Sequence, residues 1–243
     1  MIDRRGIRNQ LLRRLEDRDW EAIAEHLETF TLETGRAYAV PGQPIEHVFF
    51  FEEGLSSEII VNPDGQEIEG GCFGHEGMSP PMAILGIDRS PHKSLPQVGG
   101  RTHRLPTSVL FVRLEASAAL RSLLLRYLHV VMLQLSQTTI ANGRYSVYQR
   151  LARWILMCQD RLGDRIALSH EYLGIMLGVR RAGVTDALHL LEGTGAIRSA
   201  RMLIQVRDRQ KLLAAAAGSY GIAEAEYRRL IGPFEEDAGA AGH

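Results

Sequence analysis

Cysteine is nearly absent from this chain: 243 residues hold only Cys72 and Cys158. Two thiols exclude a disulfide framework and any four-cysteine iron–sulfur or zinc site, and they fit a reduced, cytoplasmic setting. No uninterrupted apolar run reaches the roughly 18–20 residues that span a bilayer, so no membrane partner is expected. The start, Met1-Ile2-Asp3-Arg4-Arg5, has no apolar core behind its charges and does not read as a secretory signal. No His-x-His pair, no nucleophile–base pair and no phosphate-cradling glycine loop occurs; Gly99-Gly100 alone is too little. The expectation is a protein that is not an enzyme, with no catalytic residues, no metal and no cofactor.

Basic charge is also missing from the chain as a whole, whose net charge is −1, and lysine is confined to Lys93 and Lys211. The charge is unevenly divided, however. Residues 144–211 contain twelve cations and six acids, a local +6, which leaves −7 for the remainder. Phosphate binding requires local positive potential rather than a basic protein.

The texture of the chain changes several times. Residues 8–28 place Leu11, Leu12, Leu15, Trp20, Ile23, Ala24 and Leu27 at spacings of three to five, which predicts one or two short helices broken near Asp17–Asp19. From Phe30 to Leu114, short apolar runs alternate with glycine and proline: 37–40, 47–51, 57–61 and 110–112. These predict a β-roll or barrel of jelly-roll type, with Asp64-Gly65 as a type I′ hairpin turn. Residues 86–107 read as a short helix and then strands. A long helix follows from about Ala116, with Leu120, Leu124, Tyr127, Leu128, Val131, Leu135 and Thr138 close to a heptad, and Asn142-Gly143 as its end. That seam predicts a homodimer. Val147 to Arg161 forms a further helix whose inward stripe includes Cys158, read as a core residue.

The strongest local signal is the stretch 168–191. Ser169 suits an N-cap, Leu173 and Leu177 lie four apart, and Gly174 is small where two helices meet. Gly178 falls where a sharp turn needs positive φ, and Val179, Val184, Ala187 and Leu188 supply the buried side of a second helix. Together these specify a helix-turn-helix, whose second helix enters the major groove of double-stranded DNA. Arg180, Arg181, Thr185 and His189 lie on its outward side. Arg181 is the first candidate for a bidentate contact to guanine, with phosphate pairing the alternative for either arginine. Ile197–Arg198 and 202–206 read as the strands of a wing, from which Arg198 and Arg201 reach phosphates. Lys211–Ala217 and Ala223–Leu230 read as short helices, with disorder beyond.

With these residues the chain resembles the Crp/Fnr family of bacterial transcription regulators over roughly residues 8–217. Phe50-Phe51-Glu52-Glu53-Gly54, Asp64-Gly65 and Gly71-Cys72-Phe73-Gly74-His75-Glu76-Gly77 look like the family's β-roll landmarks. The resemblance implies an α+β chain: a cyclic-nucleotide-binding-like β-roll sensor (1–115), a dimerisation helix (116–143), a winged helix-turn-helix (144–217) and a partly disordered tail (218–243). It implies a dimeric regulator that responds to a signal in the β-roll, with RNA polymerase as a further partner. An effector site would fall at Gly74, Glu76, Arg89 and Ser90.

Departures limit what carries over. The family's cyclic-AMP sensors hold the cyclic phosphate with a Gly-Glu pair and a following Arg-Ser or Arg-Thr. Here Gly74-His75-Glu76 has an extra residue, and Arg89-Ser90 falls three residues early and runs into Pro91. Cyclic AMP is therefore not assigned. A haem branch would need His75, His92 or His103, each a lone histidine. In the second helix Arg181 matches the catabolite-activator pattern, but Ala182 and Asp186 stand where that pattern has Glu and a second Arg, so the target sequence does not transfer. Two rival readings remain: a ligand- or partner-binding β-roll with vestigial DNA binding, and a cupin-type metalloenzyme using Glu67, His75 and Glu76.

Overall fold

The structure is a computed structural model that describes residues 2–168, 170–200 and 202–233, excluding the side chains of His170 and Glu171. It opens with α1 (Gln10–Arg13) and α2 (Asp17–Ala24). The break between them is at residues 14–16, earlier than expected, because Asp17 and Asp19 occupy the first turn of α2, where acids oppose the positive helix end.

Seven strands build the roll: β1 (Glu28–Leu32), β2 (His47–Phe51), β3 (Leu55–Val61), β4 (Glu67–Phe73), β5 (Met78–Ser79), β6 (Lys93–Val98) and β7 (Gly100–Pro106). One sheet runs β1-β7-β2-β5 and faces a second, β4-β3-β6. Residues 37–40 make only an isolated bridge, Ala39 to Ser94, rather than a strand. The β3–β4 hairpin closes through Pro63-Asp64-Gly65, with Asn62 N–H donating to the Gln66 carbonyl and Gly65 N–H to the Asn62 carbonyl. Only Gly65 has positive φ (77°), so the turn is a type I turn with a glycine bulge and not the expected type I′.

Residues 110–112 are helical, correcting the reading as a strand. They lie in α3 (Thr107–Ala116), which buries Thr107, Leu110 and Leu114 at three- and four-residue steps. Next comes α4 (Ala118–Arg144), capped by the Ser117 hydroxyl, which accepts from Leu120 N–H. It passes straight through Asn142-Gly143, and Gly143 is an ordinary helical residue instead of a left-handed cap. By length and composition α4 is apolar enough to cross a bilayer, with a mean hydropathy of 1.3. One face of it is committed to the protein core: Leu120, Leu124, Tyr127, Leu128 and Val131 are all at most 4% exposed.

Beyond it lie α5 (Val147–Leu162), β8 (Arg165–Ile166), α6 (His170–Leu177), α7 (Arg181–Gly193), β9 (Ile197–Ala200), β10 (Leu203–Val206), α8 (Arg209–Ala216) and α9 (Ile222–Leu230). The three short strands pair in the order β8-β10-β9. Leu173, Leu177, Val184, Leu188 and Leu191 are at most 4% exposed, and burial of such side chains contributes about 1.5–3 kcal/mol each.

Two cores result. The first fills the roll and extends to α1, α2, α3, α4 and α9. The second joins α5–α8 and the small sheet to the outer face of β3, β4 and β6 through Leu55, Ile59, Cys72 and Leu95. At that seam the buried Glu69 carboxylate accepts hydrogen bonds from Ser57 Oγ (2.5 Å), Gln97 Nε2 (2.8 Å) and Trp154 Nε1 (3.1 Å). A buried acid with three donors from both halves ties the roll to the helix-turn-helix.

Candidate nucleic-acid interface

The α6–α7 turn is built as its glycines require. Gly178 sits at φ +60°, and a Cβ there would lie 3.0 Å from Ile68 Cδ1 on β4. A Cβ on Gly174 would come within 3.1 Å of the Val179 carbonyl oxygen, so any larger residue would separate the two helices. Gly183 has no such constraint; a Cβ there meets nothing within 4 Å.

Arg180 precedes α7 in an extended conformation (φ −68°, ψ 147°) and makes no side-chain cap, and Arg181 is the first residue of the helix. Both are exposed, as are Ala182, Asp186, His189 and Leu190. Neither arginine pairs with an acid among the described residues. Two exposed arginines thus stand at the N-terminus of α7, whose positive dipole end adds to their charge and suits an anion. Thr185 is half-buried and its hydroxyl donates to the Arg181 carbonyl (3.1 Å). His189 Nδ1 lies 3.7 Å from Glu192. Arg198 is exposed on β9. Ser169 and Arg201 lie outside the described residues.

The positive segment is smaller at the surface than its formal charge. Arg153 and Arg161 are buried, Arg150 is half-buried against the Leu177 carbonyl, and Arg209 is paired with Asp160 at 2.8 Å. Arg144, Arg165, Arg180, Arg181, Arg198, Arg207 and Lys211 remain exposed. Sequence reasoning counted the buried arginines as interface charge because nothing local distinguishes an inward arginine.

The residues assigned to the dimer seam are corrected by their burial. Leu120, Leu124, Tyr127, Leu128 and Val131 point into the protomer's own core and are not available to a second copy, whereas Leu135, packed against that core, and Thr138 are half-buried. The outward stripe of α4 is Ser122, Leu125, His129, Met132, Ser136, Thr139 and Ile140, with Leu125 at 44%, Met132 at 58% and Ile140 at 51% exposure.

The four assigned effector residues do not form one site, which is a second correction: Gly74 and Glu76 meet, while Arg89 and Ser90 lie elsewhere. Glu76 is buried, with Oε1 accepting from Arg161 Nε and Nη2 at 2.8 Å each and Oε2 accepting from Gly74 N–H (3.0 Å). A Cβ on Gly74 would lie 2.9 Å from Arg161 Cγ, and one on Gly77 would overlap the Tyr127 hydroxyl. The space left is a cavity of about 20 Å³, enough for a water and far too small for a nucleotide. Arg89 instead donates to the Gly42 carbonyl at the surface, and Ser90 Oγ donates to the His92 carbonyl. The metalloenzyme trio is equally dispersed, since Lys93 holds Glu67 (2.9 Å) and Arg161 holds Glu76. Among the lone histidines, His103 Nε2 is 3.5 Å from Glu52, and burial lowers the pKa of both His103 and His92. Burial raises the pKa of the Cys72 and Cys158 thiols, as expected of inert core residues.

The helix pair, small sheet and α8 coincide with a known unit. Residues 149–215 match the family described as the Crp-like helix-turn-helix domain. Together with the roll and α4, this segment gives the chain the fold of Crp/Fnr-type transcriptional regulators. FixK2 from Bradyrhizobium japonicum superposes with a TM-score of 0.67 at 17% identity, covering 78% of this chain and 96% of its own. The c-di-GMP responsive global regulator CLP of Xanthomonas campestris gives 0.62 at 15% identity, covering 79% and 99%. A transcriptional regulator of the CRP/FNR family from Thermus thermophilus gives 0.60 at 20% identity, covering 79% and 100%. No curated protein matches the chain by sequence.

Proposed function

We propose that the chain is a cytoplasmic, homodimeric, sequence-specific DNA-binding transcription regulator. The observation that carries this reading is the exposed pair Arg180–Arg181, without an acidic partner among the described residues, at the N-terminus of α7 within a Crp-like helix-turn-helix domain. In this reading α7 lies in the major groove, Arg181 contacts guanine O6 and N7, and Arg180, Thr185 and His189 complete the groove-facing surface. Arg198, with Ser169 and Arg201, holds phosphates. Two protomers associate along Leu125, His129, Met132 and Ile140 of α4, and their recognition helices fall about one turn of DNA apart, roughly 34 Å. RNA polymerase is the partner through which a bound dimer acts.

The test is selection of bound fragments from the host genome by the purified full chain at about 0.1 M salt, alongside sedimentation. The expected result is enrichment of one two-fold-related motif by a dimer. Fragments recovered no better than input would leave a β-roll protein with vestigial DNA binding as the remaining reading.

A further inference from the structure

We infer that the C-terminal helix α9 is an internal ligand of the sensor domain, a clasp that fixes the helix-turn-helix domain against α4 and the β4–β5 loop. The helix lies outside the matched domain of residues 149–215 and doubles back to pack along α4. It fills the corner where the resemblance puts an effector. The Tyr227 hydroxyl donates to the Glu76 carbonyl (2.7 Å), directly beside the Tyr127 hydroxyl, which donates to the Met78 carbonyl (2.9 Å). Arg14, which follows α1, holds the far end of the clasp by donating to the Ile231 carbonyl (2.8 Å) and the Pro233 carbonyl (3.0 Å).

Charge explains why the clasp is needed. Helix α5, the entry to the DNA-binding domain, sends two arginines inward, 6% and 4% exposed. Arg153 donates to the Thr138 hydroxyl of α4 (3.2 Å) and to the Ser219 carbonyl in the α8–α9 turn (3.0 Å). Arg161 is paired with Glu76 of the sensor loop. Buried guanidiniums are costly unless opposed by acids. Glu224, only 5% exposed, is the acid that α9 brings to this corner, and it also caps its own helix by accepting from Gly221 N–H (3.1 Å). Its buried carboxyl is pushed up in pKa by desolvation and drawn back down by Arg161 and Arg153. Undocking α9 thus removes Tyr227 from the sensor loop and leaves two interior cations with less opposing charge. The orientation of α5, and of the α6–α7 pair behind it, is therefore coupled to the C-terminal helix rather than to a diffusible nucleotide.

The experiment compares the full chain with Glu224→Gln/Tyr227→Phe, which keeps shape while removing one charge and one hydrogen bond. Amide exchange in α5–α7 is the primary readout, and DNA affinity, which rests on the proposed function, the second. A wild-type chain that binds no DNA would overturn that function while the exchange result still judges the clasp. The expected result is exchange in α9 and α5–α7 faster by about tenfold and DNA binding weaker by about tenfold, the middle of the usual range for coupled sites. A second variant adds His129→Cys and Glu226→Cys, at surface positions whose native side chains touch at 3.1 Å, joined by a short bis-maleimide. Tethering α9 should restore slow exchange in α5–α7, the readout taken on this variant because His129 lies on the α4 stripe assigned to the second protomer. If the double variant fails to fold, Glu224→Gln alone is read the same way. Fast exchange confined to α9, or loss that the tether does not repair, would overturn the inference.

Discussion

Replacing Glu58 with glutamine should abolish a measurable part of the protein's pH dependence. Glu58 lies inside the roll, 5% exposed, where its Oε1 accepts hydrogen bonds from Ser79 Oγ (3.0 Å) and Ser94 Oγ (2.7 Å). No cation among the described residues is paired with it. Desolvation outweighs the two hydroxyls and pushes its carboxyl up from 4.5 to about 6. A carboxyl whose folded pKa exceeds its unfolded one holds more protons in the native state, so stability falls as pH rises through this window. The cost is absent below pH 4.5 and complete above about pH 6. That rise in pKa corresponds to about 2 kcal/mol. Glutamine keeps an acceptor for both hydroxyls and cannot ionise. Urea unfolding of wild type and Glu58→Gln between about pH 4 and 7.5 isolates the group, since every other titration is common to both chains. The wild type should lose about 2 kcal/mol more than the variant over that range. Parallel stability curves would refute the reasoning.

Three further outcomes follow from the interface. Gly183→Ala should stabilise α7 by about 0.5–1 kcal/mol, because its Cβ meets nothing; if α7 lies deep in a groove, the same methyl weakens DNA binding, measured by thermal melting and fluorescence anisotropy together. Asp186 is an exposed acid without an ionic partner among the described residues on a cationic face, so Asp186→Ala should tighten binding to scrambled DNA by roughly threefold and steepen the salt dependence by about one ion; an unchanged slope would remove Asp186 from the contact surface. Met132→Glu on the outward stripe of α4 should shift sedimentation from dimer to monomer at micromolar concentration, whereas a stable dimer would relocate the seam.

The helix-turn-helix was legible because each of its positions answers a local demand. Leu173 and Leu177 repeat at one helical turn, Gly178 takes the positive φ of a tight turn, and Gly174 allows a close backbone approach. The long helix was legible as a helix but not in its orientation. Periodicity marks apolar faces without saying which is covered by the same chain, and α4 is apolar on several sides because it serves the roll, α9 and an open stripe at once. The strand expectation for 110–112 failed for a related reason: three consecutive apolar residues carry no period, and the Thr107–Leu110–Leu114 spacing that decides the matter extends beyond them. The effector corner was illegible because its occupants come from far along the chain. Arg161 is 85 positions from Glu76 and Tyr227 is 151, and only folding brings them there.

Base reading by the first residue of α7 is the central claim, and its most direct measurement is a base-pair scan of the selected DNA site with wild type and Arg181→Ala. Wild type should discriminate strongly at one G·C pair in each half-site. The variant should lose about 1–3 kcal/mol there, roughly 5- to 150-fold, and retain its preferences elsewhere. Discrimination unchanged at every position would contradict the claim.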